Sequence, residues 1–146
     1  MGLSSNVLVG LAVGALVVIQ AAMNARVMTA LGSAMSATLV NFTIGTIALL
    51  GVVVATGQLG TLQNISQAPR WSLVGGLAGV LLVAGTAYLI PRIGTAHAVA
   101  LFVCGQAIAS LIFDHFGLLG VPVIEISMSR VIGCALLALG AILVGR

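Results

Sequence analysis

The chain is 146 residues long, 61% hydrophobic and only 5% charged, with five basic and two acidic side chains, a mean hydropathy of +1.31 and a net charge of +3. So few charges exclude a water-exposed globular surface, because soluble domains carry roughly 25% charged residues. The basic excess does not indicate nucleic acid: all five basic residues are isolated arginines without interleaved aromatics.

Crossing a ~30 Å hydrocarbon core takes ~20 apolar residues, and dividing the chain on that basis predicts five spans, 7–25, 36–55, 71–90, 95–113 and 126–144. The expected fold is all-α, an integral membrane bundle forming one transmembrane domain over residues 1–146. No Lys or Arg precedes the first apolar run and the run is too long for a signal h-region, so a cleaved signal peptide is not expected. Cys104 and Cys134 lie inside apolar runs without CxxC spacing, which reads as inert thiols with no metal and no cofactor.

In chain order, Val7 to Ile19 is unbroken apolar and small-residue sequence, and then Gln20, Asn24 and Arg26 arrive within about two turns. On a helix Gln20 and Asn24 share one face. An amide exposed to lipid has no partner, so this face is read as one wall of a translocation site. Gly10 and Gly14 allow close helix approach. Arg26 has two readings, a snorkelling topology anchor at the helix end or an anion contact at the cavity mouth.

Val27 to Met35 reads as a loop or broken helix end. The second span carries a stripe of Thr38, Asn41 and Gly45, in which Asn41 is either an interhelical hydrogen bond, worth on the order of 1 kcal/mol, or a substrate contact. Thr56 to Arg70 has soluble character and reads as a surface loop with room for a short interfacial turn. Trp71 and Tyr88 near the ends of span three suit two aromatic belts ~25 Å apart. Gly75, Gly79 and Thr86 between them form a packing stripe. Pro91 to Gly94 reads as a tight reversal that makes spans three and four antiparallel neighbours.

Span four places Gln106, Ser110 and Asp114 on one face, with His97 near its other end. Asp114 and His115 have two readings, a proton relay near the cavity mouth or a solvated headgroup pair. Phe116 to Glu125 reads as a loop or re-entrant corner. The last span opens with Ser127, Ser129 and Arg130 and is otherwise nearly featureless, which suits lipid contact or oligomer packing.

Five spans put the termini on opposite faces. Arg70 and Arg130 then fall on the N-terminal side, and Arg26, Arg92 and Arg146 on the other. So small a difference does not fix orientation by the positive-inside rule, and insertion both ways is expected.

Several of these segments together resemble the YdcZ-type family: Gln20-Ala-Ala-Met-Asn24, Trp71 leading into Gly75-Gly76-Leu-Ala-Gly79, Pro91-Arg-Ile-Gly94, Gly105-Gln106, Asp114-His-Phe-Gly117, and Arg130 with Gly133. The resemblance runs nearly end to end. It implies a bacterial inner-membrane protein of the drug/metabolite transporter superfamily, distantly related to the small multidrug resistance exporters, working as an inverted pair of subunits with the site between them. The partner is then a second copy or an oppositely oriented paralogue. Gln20, Asn24, Asn41 and Gln106 would line the site, and Asp114, His115 and Arg26 would serve proton transfer or gating. One departure bears on substrate: the small multidrug exporters carry a membrane-embedded Glu in their first helix, and this chain has no acid there. Amide-lined walls favour a neutral or weakly charged polar solute over proton-coupled export of cationic drugs.

Two other classes compete. A non-transporting subunit would use the glycine stripes to pack against a larger membrane protein. An enzyme is not expected, since Asp114 and Glu125 alone assemble no nucleophile and base pair.

Overall fold

The computed structural model describes residues 3–146, with side chains described from Ser5 onward. Regular structure among the described residues is all helical: α1 (Leu3–Leu31), α2 (Ala34–Ala55), α3 (Gly75–Ile93), α4 (Thr95–Phe116) and α5 (Met128–Val144), with 3₁₀ stretches at Gln58–Gln67, Arg70–Val74 and Leu118–Gly120. Among the described residues four stretches are long and apolar enough to cross a bilayer, namely Ser5–Leu31, Ala34–Ala55, Arg70–Ile93 and Thr95–Phe116. The fifth helix is shorter than expected, 17 residues, because Ile126 and Ser127 precede it rather than open it.

The first connection is also tighter than expected. Val27 to Leu31 contains no helix breaker, and Thr29 bonds back to the Ala25 carbonyl at 2.9 Å, so α1 runs on to Leu31. The chain breaks only at Gly32, which takes a left-handed φ of 67° open to glycine at little cost. Ser33 then caps α2, its Oγ accepting from the Ser36 N–H at 3.2 Å. As a consequence Arg26 lies within α1, more than a turn before its end, and not at the helix terminus. Similarly, α3 continues through Pro91 to Ile93, where the missing N–H costs only one bond of the last turns, and the break before α4 falls at Gly94 with φ 82°.

The chain divides into two compact units, Met1–Pro91 and Arg92–Arg146. In the first, the short Gly32-Ser33 turn folds α1 back on α2 as a helical hairpin. Near the turn, Ala21, Asn24 and Ala25 of α1 and Ala37 and Thr38 of α2 are buried. Small side chains here let the two backbones close up. On α3, Gly79 accepts the Phe42 ring of α2, whose edge lies 3.6 Å from where a Cβ would stand.

In the second unit α4 and α5 form another hairpin, held at both ends. At one end the His97 ring lies directly against the Gly145 backbone. At the other, Arg130 forms an ion pair with Asp114, and its second guanidinium nitrogen donates to the Ile124 carbonyl at 3.4 Å. The Ile124 N–H returns a bond of 2.9 Å to the Asp114 carbonyl, so the extended segment before α5 is stitched to the end of α4. This corner depends on Gly117, which ends α4 at φ 60° with its N–H on the Phe113 carbonyl.

Among the described residues the buried apolar ones are seven alanines and Ile90, whereas most of the large aliphatic side chains face outward. That is the reverse of a water-soluble protein and suits a lipid solvent, where burying leucine against leucine gains little and close backbone approach gains more.

Two outcomes test the corner. Gly117→Ala places a methyl 2.8 Å from Val123 Cγ2 in a left-handed conformation, and should destabilise the protein by about 1–2 kcal/mol in denaturant titration of the detergent-purified chain. Asp114→Asn and Arg130→Gln, singly and together, should show a coupling of about 1–2 kcal/mol in a double-mutant cycle; additive losses would mean that the pair does not hold the hairpin.

Candidate functional site

A cleft of about 660 Å³ opens between α1 and α2, within the size range of small-molecule sites. Three of the amides expected at the site line it together: Gln20 and Asn24 from α1 and Asn41 from α2. The hairpin explains their meeting. Asn24 precedes the Gly32-Ser33 turn by as many residues as Asn41 follows it, so the two stand at the same depth, ~12 Å along each helix. Gln20 is one turn further along α1, near the level of Gly45, which also lines the cleft.

Their environments differ. Gln20 is exposed, whereas Asn24 is only 5% exposed. Asn41 is partly buried, and its Nδ2 is fully enclosed without a hydrogen-bond partner, the only such side-chain atom among the described residues. The buried threonines do not share this problem: Thr38 donates to the Ala34 carbonyl at 2.8 Å and Thr86 to the Val83 carbonyl at 2.9 Å. An orphaned buried amide costs about 1–3 kcal/mol, a cost that functional sites carry more often than structural ones. The rest of the lining is apolar, and no ionisable side chain contributes to it.

The other expected site residues stand elsewhere. Arg26 is exposed on α1 and does not line the cleft, and Gln106 is exposed on α4 in the second unit. Asp114 and His115 occupy the last turn of α4 but make separate contacts, since successive helical residues point about 100° apart. Asp114 pairs with Arg130, while His115 meets the Phe116 ring edge-on, with centroids 4.8 Å apart. Arg130, not among the expected site residues, also lines a second cavity of about 450 Å³ between α4 and α5 with Ser110 and Cys134. A signal for its pairing existed in the sequence: a short return between two helices brings the end of one beside the start of the next, and Asp114 and Arg130 hold those two places.

No group of three or more metal-ligating side chains occurs among the described residues. The arrangement offers hydrogen bonding and apolar contact rather than acid–base or nucleophilic chemistry.

Residues 6–143 match the family described as "Putative inner membrane exporter, YdcZ". The inner membrane protein YdcZ of Escherichia coli (strain K12) is 28% identical over 137 residues, covering 93% of this chain and 91% of that protein. No solved structure matches the chain. Matched almost from end to end, and built of apolar helices whose large side chains face outward, the chain belongs to the YdcZ family and is a multi-pass inner-membrane protein.

Proposed function

We propose that the chain transports a small polar metabolite or drug-like solute, and that it does so as an antiparallel, dual-topology homodimer in which the cleft walls of two copies meet at the subunit interface. The observation that carries this reading is the amide cluster of Gln20, Asn24 and Asn41 lining one cleft, with the Asn41 Nδ2 lacking any partner. In lipid such a group is retained where a solute, water or another subunit completes it.

Five crossings belong to the same proposal. The 17 residues of α5 give ~26 Å of helix, near the lower limit for a span. Crossing there puts the termini on opposite faces of one transmembrane domain, and a second copy inserted the other way supplies the inverted repeat that many transporters carry within one chain. A Cβ at Gly10 or Gly14 would meet nothing within 4 Å, so the α1 stripe has room for a second subunit, whereas the α3 stripe is already covered at Gly79 by Phe42. Gln106 remains proposed as a further substrate-binding residue, and Asp114, His115 and Arg26 as proton-transfer or gating residues. The Arg130 pairing supports a gating role for Asp114, since breaking that pair frees the corner between α4 and α5.

Counterflow into proteoliposomes, screened with small neutral polar solutes and with a quaternary ammonium ion, tests the proposal. A neutral solute should accumulate, and Gln20→Ala or Asn24→Ala should lower its flux about tenfold while dimers persist in detergent. Full flux in both variants would remove these amides from the site, and uptake of the quaternary ion alone would overturn the solute class.

A further inference from the structure

We infer that the α1–α2 cleft binds an uncharged amphiphile whose polar end carries a hydrogen-bond-accepting oxygen, held by Asn41, Asn24 and Gln20, with its apolar body lying along Val13, Leu16 and Val17. This deepens the transport reading of the same site and rests on it.

Three observations converge. The lining has no ionisable side chain, so neither an ammonium nor a carboxylate would find a counter-charge on leaving water. Within that lining, the buried atom without a partner is an N–H donor, the Nδ2 of Asn41. The last torsion of asparagine is soft, so an oxygen entering between the helices can meet that donor. The polar groups of the cleft are also confined to its end nearer the Gly32-Ser33 turn, among Met23, Val27 and Ile44, and the far end carries none. Asn24 and Asn41 share one depth, and Val13 to Val17 lie ~10–16 Å further along α1, measured from Asn24. A sugar would leave its hydroxyls against the valines and leucine, whereas a molecule with one polar end matches both parts. A bilayer phospholipid fits poorly, because its phosphate would need a cation and none lines the cleft.

The test uses nanodisc-embedded protein and three diazirine probes that share one alkyl chain and end in a primary amide, an ammonium or a carboxylate. The amide probe should label peptides covering residues 13–27 and 41–45 about fivefold more than either ion does. Asn41→Leu should lower that labelling about fivefold and raise the melting temperature, because it removes an orphaned donor. Should the Asn41→Leu protein not remain monodisperse, Gln20→Leu at an exposed position carries the same labelling comparison. Equal labelling by the ammonium probe would overturn the inference. So would labelling spread evenly over the lipid-facing helices, labelling unchanged by either substitution, or a lowered melting temperature showing that a subunit contact already satisfies Asn41. Selective amide labelling in protein without counterflow would leave the ligand class standing and defeat transport. Counterflow of an ion without amide labelling would do the reverse.

Discussion

Everything in this fold follows from a solvent that neither drives aliphatic side chains together nor satisfies a stray polar group. Lipid accepts leucine and valine as readily as a protein interior does, so helices associate here through alanine and glycine, as Ala21, Ala25, Ala37, Ala98 and Ala141 illustrate by their burial. The same solvent makes each membrane-embedded hydrogen-bonding group consequential. Threonines escape by bonding to their own helices, but an asparagine side chain is less easily satisfied that way. Asn41 is therefore the position where the cost of a buried polar group stays uncompensated within the chain.

The two helical hairpins have different characters, and each follows from its corner. The Gly32-Ser33 turn is short and capped, and it brings the amides of α1 and α2 to equal depth, leaving an open cleft between them. The corner between α4 and α5 is longer and holds itself by charge and backbone bonds, with Arg130 joined to both Asp114 and Ile124. One hairpin thus presents an amide-lined cleft, and the other is a clamped pair with a specific contact at each end.

Much of this was legible in the sequence, for physical reasons that can be named. Apolar run length announces membrane helices because bilayer thickness sets it, and amides interrupting such a run announce a face turned away from lipid because lipid cannot satisfy them. Gln20, Asn24 and Asn41 were expected together because each is an amide inside an apolar run, but the short turn that sets Asn24 and Asn41 at one depth was not foreseen, and Gln106 lies in the other unit. Helix ends were less legible. Val27 to Leu31 continues α1 because nothing in it breaks a helix, while the glycine that ends it stands further on, and Pro91 was tolerated because it falls so near the end of α3. The Arg130–Asp114 pair was obscured because the eye pairs Asp114 with its neighbour His115, whereas helical geometry turns neighbours apart and a hairpin brings distant residues together.

The cleft walls described here are one half of the proposed site, and the claim on which the account turns is that an oppositely inserted copy supplies the other half. Reporters that respond to opposite compartments, fused separately after Arg146 and scored for the fraction of molecules on each side, test it most directly. The account predicts comparable signal from both sides of the membrane. A single orientation would contradict it, leaving the amides of α1 and α2 to face something other than their own inverted counterparts.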